Sequence, residues 1–359
     1  MGRRIAVPAS RVVVTGLGTL TAAGTCRSHL LRGTVPTCFR PRSFAPHPGL
    51  PEIDGVCAAS LPELPVRELL PARGVRALSD EGRAALCAAV LACREARIEL
   101  RAEPAQAAEV GVALGTTRAG LDEYVRLFSE GVALGPDGVM PARGPRTGYN
   151  TPASELSIVL AAGGPNLTVS SGAASAGDAI AAAADLVREG RASAMLAGGV
   201  DLLSYMAVRA ERGIDPGFGT VADPRPFDRD RRGGSPGEAA VVLVVEDAAR
   251  AARREATCLA ELAGMGTAFA PGAAVSGSAD AARRAVAEAL ACAGVGASEV
   301  DAVIASACGS PERDATEASA LVSALGDRVP VCSAAGAVGD CGGAAAAVQV
   351  ALAVAALEG

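Results

Sequence analysis

The stretch Gly164-Pro165-Asn166-Leu167-Thr168-Val169-Ser170-Ser171-Gly172-Ala173-Ala174-Ser175 places three serines and a glycine where an apolar run gives way to an alanine-rich one. Ala173-Ala174-Ser175-Ala176-Gly177 approximates the strand-to-helix elbow that exposes a serine nucleophile. That chemistry requires a histidine downstream of the serine to take its proton. The chain has only two histidines, His29 and His47, and no lysine. A mechanism needing either residue type beyond position 47 is therefore excluded, and Ser175 reads more simply as the cap of a helix starting at Ala176. A divergent acyl transfer would have to use Ser171, Ser175 or Cys308. With no histidine or lysine to lower its pKa, and with Glu312 and Asp314 beside it, Cys308 is expected to remain a thiol.

Composition removes further classes. Half of the 359 residues are apolar, enough for a large core, while aromatic residues make up 3%, which suggests close packing of small side chains. A net charge of -6 gives no electrostatic footprint for nucleic acid or an anionic membrane. The ten cysteines include no Cys-x-x-Cys pair, so neither a metal nor a cofactor is expected, and Cys87 and Cys93 read as small buried hydrophobes. Gly16-x-Gly18 invites a dinucleotide-binding reading, which fails because Thr21 stands at the third glycine position and no helix pattern follows. Met1 to Ser10 has no apolar core of a secretory signal, and the uncharged run Cys341 to Leu357 is short for a membrane span. A cytoplasmic location is expected.

The elements that must position these residues alternate. Arg11 to Leu20 reads as a buried strand, followed by a Pro-rich irregular segment to about Leu64 and a helix from Ser79 to Ala96. Strands are expected at Val110 to Leu114, Asn166 to Ser170, Ala194 to Gly199 and Ala239 to Glu246, with helices at Ala119 to Phe128 and Ala176 to Glu189. After Arg250 the plan restarts, with strands at Cys258 to Gly264, Val300 to Ala305 and Val329 to Ser333. Its helices fall at Asp280 to Ala293, Asp314 to Leu325 and Gly343 to Ala356. Two copies of one βαβαβα plan predict an internally duplicated α/β fold with a mostly parallel sheet, divided at 1–250 and 251–359.

The opening stretch resembles the nucleophile turn of the β-ketoacyl synthases, Gly-Pro-Asn-Leu-Thr-Val-Ser-Thr-Ala-Cys-Ala-Ser, with Ala173 at the cysteine position. Asp223-Pro224-Arg225-Pro226-Phe227-Asp228-Arg229-Asp230-Arg231, Pro236-Gly237-Glu238-Ala239-Ala240, Ala197-Gly198-Gly199 and Arg11 to Gly18 resemble further segments of that family in the same order. The resemblance implies a thiolase-like, duplicated five-layer αβαβα fold, with the second half lacking its final strand pair. It implies a loop-ordering role for Arg225, Asp228 and Arg229, and puts Asn166, Leu167, Thr168, Val169 and Ser170 at a two-fold-like subunit interface.

The family's catalytic groups are replaced throughout. Ala305-Ser306-Ala307-Cys308-Gly309-Ser310 stands where the family has Ala-His-Gly-Thr-Gly-Thr, so Ser306 replaces the first histidine. Ala335-Gly336-Ala337-Val338-Gly339-Asp340 stands where the family has Lys-x-x-x-Gly-His, so Ala335 and Asp340 replace the lysine and second histidine. Each lost oxyanion donor removes about 3–4 kcal/mol of transition-state stabilisation, and an anionic Asp340 would repel an enolate. Members without the nucleophile imply the chain length factor of type II polyketide synthases, paired with an active ketosynthase and served by acyl carrier protein. The face Leu121, Tyr124, Val125 and Phe128 has the i, i+3, i+4, i+7 spacing of ordinary core. Its alternative use is to supply bulky residues to an acyl tunnel shared with the partner.

Overall fold

The computed structural model describes residues 11–31, 38–44, 47, 50–70, 75–100, 104–271 and 278–358. Residues 1–10, on which the reading of the N-terminus rests, lie outside them. The central sheet has six strands in the order β5-β4-β6-β7-β1-β8: β1 (Val12–Thr21), β4 (Val110–Gly115), β5 (Asn166–Val169), β6 (Ala194–Asp201), β7 (Ala239–Asp247) and β8 (Ala260–Glu261). β5, β4 and β6 pair in parallel, as the βαβ spacing predicts. The sheet is nevertheless mixed, because β7 returns from the long excursion 202–238 and pairs antiparallel with both β6 and β1.

β7 shows why this sheet forms. Its apolar run has no polar alternation, so both faces need cover. Ala239, Val241, Leu243 and Val245 enter one core, and Ala240, Val242 and Val244 enter the other. The helix Asp80–Ala96 covers the second face, its N-terminus capped by Ser79, whose hydroxyl accepts from Gly82 N at 2.9 Å. This contact explains Gly16 and Gly18. A Cβ at either would strike the carbonyl of Ala92 or Ala88 on that helix, so the glycine pair serves helix-on-strand packing and not a nucleotide.

The other face carries the helices Ser175–Arg188 and Ala345–Leu357, which pack on one another and fill the core with Ala179, Ile180, Ala347, Val348 and Ala351. Beyond them lies a two-stranded parallel sheet of β9 (Val303–Ala305) and β10 (Val331–Ser333). The helices Ala279–Ala293 and Pro311–Leu325 form an outer layer. The sequence of layers is therefore helix, sheet, helix, sheet, helix. The expected strand Cys258 to Gly264 is shortened to β8, and it joins β1 of the first sheet, Val13 opposite Glu261. Within the segment read as irregular, β2 (Phe39–Phe44) and β3 (Ile53–Ala59) form an antiparallel ribbon. Pro41 is tolerated there because a two-stranded ribbon leaves outward backbone positions unpaired.

Candidate functional site

The fold brings two related turns together. β5 leads through Ser170 and Ser171 into the tight turn Gly172–Ala174 and then the helix from Ser175. β10 leads through a short helix, Ala335–Val338, into the turn Gly342–Ala344 and then the helix from Ala345. The turns 172–174 and 342–344 lie against each other.

Ala173 is exposed on the first turn. Ser175 does not cap its helix: the cap residue is Ala174, without a side-chain hydrogen bond. The buried Ser175 hydroxyl instead donates to Gly172 O at 2.6 Å and accepts from Ser171 N at 2.9 Å, closing the turn on itself. Ser171 is exposed, and its hydroxyl donates to Asp178 Oδ2 at 2.5 Å.

Ser306, Ala335 and Asp340 converge on a cavity of about 20 Å³, lined also by Ser333, Cys341 and Gln349. That is room for about one water molecule. The Ser306 amide and hydroxyl both donate to Glu317 Oε1 at 2.8 Å. Asp340 is partly buried and fully engaged: Oδ1 accepts from Gly342 N at 2.9 Å, and Oδ2 faces Arg313 Nη1 at 3.4 Å. Arg313 also holds Glu211 at 2.8 Å, which makes a carboxylate-guanidinium-carboxylate chain. The Asp340 backbone pairs with Ser235 O and Gly237 N, both at 2.8 Å. Cys308 is buried beside it, and burial, with Asp340 and Asp314 adding to it, pushes its thiol up to about 12. It is a thiol at neutral pH, as its neighbours suggested.

Two carboxylates that sequence reasoning left without a role hold this region. Asp201, fully buried at the end of β6, accepts from Thr116 Oγ1, Thr117 N, Thr117 Oγ1, Arg118 N and Gly343 N, all within 2.9 Å. Asp314, also fully buried, accepts from Cys308 N, Gly309 N and Phe227 N. Through Asp314 and the bond from Arg231 Nη2 to Pro311 O, at 2.8 Å, the loop 223–231 is fastened to the loop 308–314. Arg225 contributes only an exposed pair with Asp223. The available signal was position: each acid stands in or beside a glycine-bearing segment where unpaired backbone N–H groups need an acceptor.

The helix Leu121–Leu134 contradicts the core reading of its apolar face. None of its residues is buried; Leu121 and Val125 are half-covered, while Tyr124 is 55% and Phe128 64% exposed. The two rings stack with centroids 6.5 Å apart. Periodicity identified the face, but the helix packs on the segment 136–147 and on the helix Tyr205–Ile214 in a way that leaves Tyr124 and Phe128 in solvent. Asn166, Leu167, Thr168 and Val169 form the edge strand of the large sheet, and Ser170, just past it, is exposed. Among the described residues, no group of three His, Cys, Asp or Glu side chains is arranged to hold a metal, and no helix is long and apolar enough to cross a membrane.

The model of the β-ketoacyl synthase N-terminal domain matches residues 68–251, and that of the C-terminal domain matches 259–359. A nodulation protein E of Rhizobium leguminosarum bv. trifolii is 31% identical over 265 residues, 71% of this chain and 63% of that protein. An oxytetracycline polyketide putative β-ketoacyl synthase 1 of Streptomyces rimosus is 33% identical over 270 residues, 71% of this chain and 62% of its own length. The match thus spans less than two thirds of these relatives. Among solved structures, the ishigamide ketosynthase/chain length factor is 25% identical, with a TM-score of 0.84 over 96% of this chain and 86% of that one. The layered architecture is the thiolase-like one of such neighbours. With family models covering both stretches in order, the chain belongs to the β-ketoacyl synthase family.

Proposed function

We propose that this chain is the non-catalytic chain length factor of a heterodimeric type II polyketide ketosynthase. The observation that carries this reading is the cavity of about 20 Å³ at Ser306, Ala335 and Asp340, together with the replacement at Ala173, whose turn lies against the turn 342–344. Its hydroxyls and thiol have no histidine or lysine to activate them: Ser306 donates to Glu317, Ser333 donates to Ala307 O, and burial pushes the Cys341 thiol up; the space is too small for an acyl chain. Its one anion is committed to Arg313. Chemistry then falls to an active ketosynthase partner, with the chain delivered by acyl carrier protein in the cytoplasm, and residues 1–250 and 251–359 act as the two halves of one subunit.

Two surfaces support a partner. The outer edge of β5 can extend its sheet across a subunit boundary, and the buried Thr168 hydroxyl there has no hydrogen-bond partner among the described residues. On the helix 121–134, Leu121, Tyr124, Val125 and Phe128 offer a half-exposed apolar face suited to wall an acyl tunnel completed by the partner. Co-expression with candidate ketosynthases and acyl carrier protein should yield a co-purifying heterodimer, and Phe128→Ala should lengthen its product. A monodisperse homodimer that ignores every such partner would overturn the reading. Unchanged product length across substitutions on this face would reduce the subunit to a structural stabiliser.

One contact favours a second reading. The 2.5 Å bond from Ser171 to Asp178 gives an exposed hydroxyl a weak base, the minimal apparatus for acyl transfer by the chain itself. Incubating the isolated chain with an acyl thioester and measuring intact mass decides this: an adduct lost in Ser171→Ala supports it.

A further inference from the structure

A polar cleft of about 480 Å³ opens at the C-terminal ends of β4 and β6, walled by the first turns of the helices from Asp80 and Leu121 and by the loop Leu202–Ser204. It is separate from the small cavity described above. Ten charged side chains line it, five arginines and five acids, so its composition alone is neutral. The pairing is not. Asp80 is taken by Arg83, and Glu238 by Arg42. Asp122 is spent on the helix that begins at Tyr205, accepting from Ser204 Oγ, Tyr205 N and Met206 N. Glu123 is held below the usual carboxylate range first by Arg143, with Arg126 and Arg146 adding only at longer range.

Three guanidinium groups remain without an ion pair within 4 Å among the described residues. Arg118 is 5% exposed and donates only to the carbonyls of Gly237 and Asp340. Arg146 donates to Ala77 O, and Arg126 has no hydrogen-bond partner among the described residues. Against these three stands one uncommitted acid, Glu81. An arginine with spare N–H donors in a concave site is built to take oxyanions, for which its planar fork gives two parallel bonds. A crevice at the carboxyl ends of sheet strands is also where open α/β folds commonly hold ligands.

We propose that this cleft binds a small oxyanion, a carboxylate or phosphate group, through Arg118, Arg126 and Arg146. The inference does not rest on the chain length factor reading: its arginines are none of the replaced positions and lie off the β5 edge, although Arg126 shares the helix 121–134 with the face that reading gives to a partner. Arg118 couples the two regions, because the same guanidinium reaches Asp340 O.

The test uses the full chain with malonate, inorganic phosphate and chloride at matched ionic strength, followed by calorimetry. Malonate or phosphate should bind and chloride should not; whichever binds more tightly identifies the head group. Arg126→Ala/Arg146→Ala should weaken that binding about tenfold or more, the ordinary effect of losing charge-assisted bonds. Glu81→Gln should tighten it, and Arg225→Ala, a remote exposed arginine, should leave it unchanged. Equal affinity in the wild type and the double variant, equal loss in Arg225→Ala, or no binding of either oxyanion at millimolar concentration overturns the proposal. Because Arg126 is exposed and Arg146 only half-covered, the double variant should fold, and a wild-type circular dichroism spectrum verifies it.

Discussion

The two strand-turn-helix units of this molecule share a plan and differ in how they are supported. The first, β5 into the helix Ser175–Arg188, belongs to a six-stranded sheet whose central strands are buried on both faces. The second, β10 into the helix Ala345–Leu357, belongs to a sheet with two strands among the described residues, where Val331 is 42% exposed and Val303 and Ile304 half-covered. The helix 345–357 is nonetheless deeply buried, because it draws its contacts from the first half: Val348 and Leu352 share one core with Ile180, Val241 and Leu243. The second unit therefore depends on the first for burial. Two carboxylates fasten them reciprocally, Asp201 of the first holding Gly343 of the second, and Asp314 of the second holding Phe227 of the first.

The largest expected effect comes from cutting one of these fastenings. Asp201→Ala leaves buried donors on three backbone amides and two threonines without an acceptor, a destabilisation of about 4 kcal/mol. Chemical denaturation would measure it. Asp314→Ala should lose a similar amount. If either changed stability by less than about 1 kcal/mol, water would be replacing the carboxylate and the reciprocal fastening would not hold.

Next in size is the contrast between the sheets. Leu243→Ala, at a fully buried position of β7, should lose about 3 kcal/mol, and Ile304→Ala, half-covered on β9, about 1 kcal/mol. Hydrogen exchange should agree, with β9 and β10 amides exchanging well before those of β6 and β7. Equal losses at the two sites would break the comparison, since they would require the second sheet to be as well covered as the first.

A smaller effect qualifies the first half itself. Burial pushes the Glu81 carboxyl up to about 6, with Asp201, Glu155 and Asp122 adding to it. A raised carboxyl pKa means the folded state holds the proton more tightly than the unfolded chain. Stability is therefore fully retained below the unfolded value near 4.5 and declines as pH rises through about 6. Glu81→Gln should stabilise the protein at pH 7 by up to about 2 kcal/mol, with no gain below about pH 4.5. A melting temperature that rises equally at both pH values would point to packing and not charge.

What the sequence disclosed follows the same division. β7 was readable because an unbroken apolar run has few alternatives, and the helix 80–96 because Ser79 and its alanines mark both ends. The β2–β3 ribbon was not, since Pro41 and Pro51 mimic a loop and its pairing is tertiary. The replacements read at Ala173, Ser306, Ala335 and Asp340 rest on motif order alone. The contacts around them were not legible: Glu211, Arg313 and Asp340 form one chain across more than a hundred residues, and no local pattern joins them. The face of the helix 121–134 was legible as a stripe, but periodicity does not distinguish a stripe turned to the core from one turned outward.

That stripe gives the smallest effect on the isolated chain and the clearest contrast with the buried core. Phe128 loses little on truncation when it already stands 64% in solvent, so Phe128→Ala should alter stability by no more than about 0.5 kcal/mol. The stacked contact with Tyr124 is its main interaction, and Tyr124 is itself 55% exposed. A residue of that size is a poor stabiliser where it stands, and under the proposed heterodimer its contribution lies in the complex. Measured there, the same substitution should act on partner affinity or product length while the melting temperature of the free chain stays fixed. A fall of several degrees in the free chain would instead place Phe128 in a core of this subunit, and would break the contrast drawn between its covered and uncovered faces.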